Sequence, residues 1–407
     1  MSFTIYPDTV STPQRPQYFR NNRSTTADAE NVVCTLYANS TAVGTWRKSW
    51  GTSAVGYDFD IDVRSFTERS VAPYLGEKTS FFGETGSKGF IANPDAYTPY
   101  YLYTELEVRN SSGFLETVTG SGETSNTLYC VNAVTPLSSP FMRQYYEPSA
   151  TGDFLFLNAG PTAQDVSTSD AYFLTYLQRG TNAANFIYYN AAGSEIRNVV
   201  VNAGNQSSAE GMRTIKCGPA QMFGTGSWSV LSGTLPSSMA SVSYYTISVG
   251  QYVGSTYTRS SELRRFDKVE ACSWHRRIFW FGKLGGAEQY TIKGRIEQRQ
   301  RDTGQIAQFA PFWDIDTNPP VQSYSRGIAK TEVSGQVTLD VTEPCTPEVS
   351  EWLRYLRRSP EVYILDSAGN YIPVTVEPSE AIVDISRTGT AEAKFTLILG
   401  AENSQEI

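Results

Sequence analysis

From Val32 onward, apolar and polar positions alternate in short runs, broken by Gly, Asn, Ser and Pro at intervals of about ten residues. That rhythm predicts strands joined by tight turns, and hence a β-sandwich or barrel. Tyr57, Phe59, Ile61 and Val63 fall on one side of a period-two run and Asp58, Asp60 and Asp62 on the other, which marks a half-buried strand. Tyr100 to Val108 repeats the pattern, with Leu102, Leu106 and Val108 opposite Tyr101, Tyr103, Glu105 and Glu107. Further strands are expected at Leu128 to Val134, Phe154 to Leu157, Tyr172 to Leu177, Phe186 to Tyr189, Ile196 to Val201 and Tyr244 to Val249. No helical periodicity stands out before residue 345.

The last third changes character. Ile278-Phe-Trp-Phe281 precedes Gly282-Lys-Leu-Gly-Gly286, and Tyr290 to Arg301 reads as one long strand with Arg295, Glu297, Arg299 and Arg301 on one face. A helix is expected over 347–358: Thr346 suits the N-cap, Pro347 the first helical position, and Glu348 the positive helix end. Val349, Trp352, Leu353 and Leu356 form its apolar stripe, Arg354, Arg357 and Arg358 load its last turns, and Ser359–Pro360 ends it. Strands follow at Val362 to Leu365, Tyr371 to Val376 and Ala393 to Leu399, with a turn over Ser367 to Asn370. The fold class is therefore mainly β: an N-terminal arm (1–31), two tandem β-sandwiches (32–136 and 137–261), and a C-terminal β-sandwich or barrel (262–407) with one amphipathic helix.

Composition narrows what such a fold can do. The 407 residues carry 33 Lys+Arg against 41 Asp+Glu, a net charge of −8, with 18% charged and 13% aromatic residues, 25 of them Tyr. A chain this rich in aromatics buries cores rather than staying disordered. Its acidity disfavours free nucleic-acid binding, which needs cations to displace phosphate counterions. The five cysteines are scattered with no CxxC spacing, which fits reduced thiols in a reducing compartment. Met1 to Asp8 shows no secretory signal pattern, and no run of about 18 apolar residues suggests a membrane span.

Four places in the sequence bear on catalysis or ligand binding. His275, the sole histidine, lies beside Arg276 and Arg277 without a neighbouring carboxylate or a Gly-x-Ser-x-Gly elbow, and reads as a packed or interface residue. Gly83-Glu-Thr-Gly-Ser-Lys88 lacks the Gly-Lys-Ser/Thr step of a phosphate loop. Asp58, Asp60 and Asp62 alternate too far apart along a strand to surround Ca²⁺, so a solvated face or a salt bridge to a neighbouring subunit is expected. Asp314 and Asp316, beside Trp313, could serve a glycosidase only if carboxylates converged at about 5–10 Å. No catalytic, metal or cofactor residue is assigned, and the expectation is a non-enzyme. The basic faces, Arg295–Glu297–Arg299–Arg301 and Arg354–Arg357–Arg358, are the candidate oligomer interface in an otherwise acidic chain.

Two blocks carry a resemblance. Phe279-Trp-Phe-Gly-Lys-Leu-Gly-Gly-Ala-Glu-Gln-Tyr-Thr-Ile-Lys-Gly294 and Trp352-Leu-Arg-Tyr-Leu-Arg-Arg-Ser-Pro-Glu-Val-Tyr-Ile-Leu365 resemble blocks of tail and baseplate-like proteins of phages infecting Bacteroidetes-type bacteria. The resemblance covers about residues 262 to 400, and Gly282-Lys283 departs from it, standing where that group favours Asn and an aliphatic or aromatic residue. It implies a virion component at the tail tip or baseplate, assembled in the host cytoplasm as a symmetric ring that contacts other tail proteins. The alternatives kept beside it are a receptor- or carbohydrate-binding virion protein, meeting a host glycan through its aromatic supply, and a ring component of the neck or capsid.

Overall fold

Strands take up 59% of the chain and helices 10%, so the fold is mainly β, and one of its sheets is curled into a half-barrel. The structure, a computed structural model, describes residues 2–5, 10–11, 18–23, 30–49, 57–71, 89–92, 97–131, 145, 153–178, 181, 183–203, 211–223, 228–270, 275–308, 312–314, 321–323, 328–365, 371–377 and 391–399. Two compact units divide it: Met1–Ser273 with Trp280–Gln289 and Arg358–Pro360, and Trp274–Phe279 with Tyr290–Arg357 and Glu361–Ile407. Both expected sandwiches thus belong to the first unit, and Trp280–Gln289 joins them there instead of the C-terminal domain.

The first sandwich pairs a small sheet, in the order Ser2–Ile5, Tyr18–Arg23, Tyr57–Asp62, with a larger one in the order Val10–Ser11, Leu128–Val131, Tyr97–Arg109, Asn31–Ala38, Thr41–Ser49. The central strands alternate as their sequence demands. Val32, Cys34, Leu36 and Ala38 point inward from one, and Tyr100, Leu102 and Leu106 from its neighbour. The segment expected as an arm contributes to both sheets: Phe19 is fully buried and meets the Tyr100 ring edge-on at 6.3 Å between centroids. A short helix, Arg64–Ser70, also departs from the expectation of no helix before residue 345. Its Phe66 ring packs on Trp46 and lies where a side chain at position 44 would sit; a Cβ on Gly44 would come within 2.6 Å of it.

The second sandwich sets one sheet, in the order Ala163–Val166, Arg264–Lys268, Tyr244–Val253, Ala183–Tyr189, Glu195–Asn202, Val230–Ser232, against the strands Phe173–Gln178, Gly211–Lys216 and Phe90–Ala92. The last of these comes from the stretch assigned by sequence to the first sandwich. Tyr188, Tyr245, Ile247, Val249, Phe186 and Tyr176 fill the core between the sheets, together with Met222 of the short helix Pro219–Phe223. A further cluster gathers Tyr97, Val131, Leu157, Leu177, Met212 and Leu284, so the Gly282-Lys-Leu-Gly-Gly286 turn anchors its leucine in the first unit.

That turn recurs with one chemical substitution. At Asn110–Phe114 and Asn190–Ser194 the first residue's N–H donates to the fifth residue's carbonyl, and the fourth, a glycine, donates back to the first. The Asn Oδ1 accepts two more backbone N–H groups in each. Gly282–Gly286 makes the same backbone pair, with Gly285 at φ +82 beside +84 for Gly113 and +76 for Gly193, values that favour glycine. Glycine replaces asparagine at 282 because the Glu288 side chain occupies the space: a Cβ there would stand 2.6 Å from its Cγ.

In the second unit the strands run in the order Val362–Leu365, Tyr371–Val376, Ala391–Leu399, Ile328–Cys345, Arg295–Gln308. Val337, Leu339 and Val341 form one buried face with Phe395, Leu397 and Leu399 across the register. The expected helix is present but shorter. It is α-helical over Pro347–Leu353 and tightens to a 3₁₀ turn over Arg354–Arg358. Thr346 caps it, accepting from the Val349 N–H at 3.3 Å, while Trp352, Leu353 and Leu356 are buried and the helix lies along Ala391–Leu399.

Candidate assembly surface

The strand expected over 290–301 is two strands, Ala287–Ile292 and Arg295–Gln308. A buried carboxylate causes the break. Glu343 accepts from the Tyr290 hydroxyl at 2.6 Å, from the Lys293 N–H at 3.0 Å and from the Gly294 N–H at 2.6 Å, fixing the turn. Three donors satisfy most of an ionised carboxylate's acceptor capacity, which is how a buried charge is tolerated. A side chain at 294 would collide with this arrangement, its Cβ falling 2.1 Å from the Thr342 carbonyl. Sequence reading missed Glu343, since its partners lie about fifty residues upstream.

Beyond this turn Arg295–Gln308 forms the edge of its sheet, pairing with Ile328–Cys345 alone among the described strands. Arg295, Glu297 and Arg299 share a face, as their alternation predicts, and the register brings Asp340 opposite Glu297. The charges pair within the chain: Arg295 with Glu297 at 2.5 Å, Arg299 with Asp340 at 3.0 Å and with Glu297 at 3.5 Å. Thr396 adds a 2.7 Å hydrogen bond to Asp340. Arg295 and Arg299 remain mostly exposed, at 77% and 68%, so these pairs are solvent-screened and individually weak. The side chain of Arg301 lies outside the described residues.

The other arginines sit elsewhere. Arg354 and Arg358 are exposed and Arg357 half-buried on the 3₁₀ turn, so the interface candidates lie on two elements.

The edge strand has a second property that its charges conceal. Among the described residues, Ala391–Leu399 accompanies Ile328–Cys345 from Val337 to Cys345. The antiparallel pairing of Arg295–Gln308 with Ile328–Cys345 continues from Asp302 with Gly335 through Gln308 with Ile328, with one irregularity between Gly304 and Ile306. Phe312–Asp314 and Val321–Ser323 pair beyond it.

The remaining candidates are placed less suggestively. His275 is half-buried, its carbonyl accepting from Arg276 Nη1 at 3.2 Å. Asp62 accepts from the Arg64 N–H at 3.1 Å and from its Nε at 2.7 Å, steadying the start of a helix. The side chains of Asp58, Asp60 and Asp314, and all of Asp316 and 83–88, lie outside the described residues. Among those described, no group of three or more His, Cys, Asp or Glu is placed to hold a metal ion, and no helix is long and apolar enough to cross a membrane. Cys34, Cys130 and Cys217 are buried, and burial raises the Cys217 thiol well above its ordinary range.

One buried ionic cluster was not anticipated. Arg264, 5% exposed, spends its guanidinium on Glu262 (2.8 Å) and on the carbonyls of Asn158 (2.7 Å), Gly160 (2.6 Å) and Pro161 (3.0 Å). Glu262 also accepts from the Phe156 N–H at 2.9 Å. Such a saturated fork ties loops together and leaves little of the cation for a ligand. No protein-family model matches the chain, and no curated protein matches it.

Proposed function

We propose that this chain is a non-enzymatic structural subunit of a tailed-phage virion, assembling with copies of itself into a ring at the tail tip or baseplate and contacting other tail proteins there. The observation that carries the assembly part is the long edge strand Arg295–Gln308, which pairs with Ile328–Cys345 alone among the described strands. Its long edge leaves a row of backbone N–H and C=O groups for a partner strand. The placement at the tail tip rests on the resemblance of Phe279–Gly294 and Trp352–Leu365 to tail and baseplate-like proteins.

The test pairs mass spectrometry of purified virions with light scattering on the isolated protein. The proposal expects the chain among the tail proteins and an oligomer of fixed stoichiometry. Its absence from virions together with a monomer at high concentration would sink it.

A further inference from the structure

The strand Tyr97–Arg109 turns Tyr100, Leu102 and Leu106 into the core of the first sandwich. The outward face of such a strand is ordinarily polar, yet Tyr97, Pro99, Tyr101 and Tyr103 follow one another along it. Neighbouring strands widen this row. Tyr37 of Asn31–Ala38 is in register with Tyr101 and stacks on it, the rings 5.0 Å apart and 9° from parallel. Tyr129 of Leu128–Val131 stacks on Tyr97 at 5.2 Å and 18°. Alternate residues of one strand and the rings stacked on them make one continuous face. At about 3.4 Å per residue it runs on the order of 20 Å from Tyr97 to Tyr103.

The Tyr97 end is buried where the first sandwich meets Leu157, Leu177 and Met212 of the second, while Tyr129, Pro99, Tyr101, Tyr37 and Tyr103 are half-buried. The hydroxyls of Tyr37 and Tyr101 have no hydrogen-bond partner among the described residues. On the side away from Tyr101 the register sets Ala42 beside Tyr37, too small to cover its ring. Hydroxyls and one carboxylate form the rim. Thr35 and Thr45 lie 3.4 Å apart, and Glu105 accepts from Tyr103 at 2.9 Å with acceptor capacity to spare. Cross-strand aromatic pairs stabilise sheets generally, and the outward pair Tyr189–Tyr244 of the second sandwich does so with its face closed. Arg265 lies 4.0 Å over the Tyr244 ring. No cation covers Tyr37 or Tyr101 among the described residues.

We infer that this tyrosine row binds a neutral, linear oligosaccharide lying along the strand. The negative face of an aromatic ring attracts the polarised C–H face of a sugar ring. Sugar hydroxyls donate as well as accept, so they can exchange hydrogen bonds with the rim hydroxyls and donate to Glu105. A proline-rich peptide also docks on aromatic rows, but proline has no N–H to give that carboxylate. Charge sets the neutral class, since Glu105 at the rim and a net charge of −8 repel an anionic glycan. The site lies apart from the edge strand Arg295–Gln308 and does not rest on the assembly reading.

An array of linear glucan, mannan, xylan and galactan oligosaccharides should retain the wild-type protein. Titration calorimetry with the best-retained oligosaccharide should show affinity lowered at least about tenfold by Tyr101→Ala and by Tyr37→Ala. Ala42→Arg, at an exposed position where the fold persists, would lay a guanidinium over Tyr37 as Arg265 lies over Tyr244, and should weaken binding likewise. Tyr189→Ala, from the pair that Arg265 covers, should bind as the wild type does. Far-UV circular dichroism checks the fold of each variant. A wild type that no glycan on the array retains, or glycan binding untouched by Ala42→Arg and both tyrosine variants, would overturn the inference. A proline-rich decapeptide bound in place of any glycan, and lost in Ala42→Arg, would overturn it too, in favour of a peptide groove.

Discussion

The side-chain amide of Asn158 donates to the carbonyl of Ala287 at 2.6 Å, across 129 positions of sequence. The same amide donates to the Phe173 carbonyl at 3.2 Å, and Oδ1 accepts from the Thr175 N–H at 2.6 Å. One buried residue thus holds Ala287, just after the Gly282–Gly286 turn, on the strand Phe173–Gln178. Asn158→Ala removes these three hydrogen bonds, each worth about 0.5–1.5 kcal/mol net, and should cost about 2–4 kcal/mol in urea unfolding. Asn158→Asp should be worse, since it turns a carboxylate toward two carbonyls beside Glu288, which already accepts from Ala159.

Two glycines in congruent turns should respond differently to alanine. Gly113 sits at φ +84 with nothing within 4 Å of where a Cβ would stand, so Gly113→Ala should cost only the left-handed strain, about 1–2 kcal/mol. At Gly286 a Cβ would lie 2.2 Å from the Leu157 carbonyl oxygen, a backbone atom that moves only with its strand. Gly286→Ala should therefore lower the melting temperature by clearly more than Gly113→Ala, and equal shifts would contradict the close approach.

What the sequence disclosed was mostly local. Thr346, Pro347 and the stripe Trp352–Leu353–Leu356 announce a helix because cap, first turn and apolar face lie within eleven residues of one another. Strand alternation at Asn31–Ala38, Tyr97–Arg109 and Tyr244–Val253 is equally self-contained. The helix Arg64–Ser70 was illegible because Arg-Ser-Phe-Thr-Glu-Arg-Ser has no stripe; Val63 and Val71 at its flanks supply the buried apolar groups. Phe19 looked like part of an arm because the residues it packs with come from distant strands. The break at Lys293–Gly294 depends on Glu343, and no window along the chain contains both. At the candidate surface the period-two face of Arg295, Glu297 and Arg299 was readable, but its neutralisation by Asp340 was set by register.

That neutralisation has a measurable consequence. Arg299→Ala removes exposed pairs to Glu297 and Asp340, and should change monomer stability by less than about 1 kcal/mol, with even that difference shrinking in high salt. A loss of several kcal/mol in unfolding experiments would show that this ladder supports the sheet instead of decorating it.

The helix cap offers a cleaner local test. Thr346→Ala removes the acceptor for the Val349 N–H and should cost about 1 kcal/mol, whereas Thr346→Asn or Thr346→Ser should retain most of the stability. Trp352→Ala, which empties a buried site where the indole meets the Tyr290 ring at 5.8 Å, should cost about 3–5 kcal/mol. Chemical unfolding of the variants in parallel would separate the two magnitudes.

Alkaline pH should loosen the first unit through its tyrosines. Burial pushes the Tyr257 hydroxyl up to about 12, partly offset by its hydrogen bond to Ser248, and burial likewise raises Tyr145 to about 12. Tyr172 and Tyr245 are raised further by the same cause. An unfolded tyrosine loses its proton near pH 10, so below that value these groups contribute their full stability. Between about 10 and 12 the folded state holds protons that the unfolded state has released, and stability falls as pH rises, by up to about 1.4 kcal/mol per unit for each such tyrosine. Urea midpoints should therefore be flat up to about pH 9 and drop steeply above 10, with tyrosinate absorbance at these sites appearing together with unfolding. Tyr257→Phe should reduce the slope by nearly one proton; an unchanged slope would mean that Tyr257 ionises as freely in the fold as outside it.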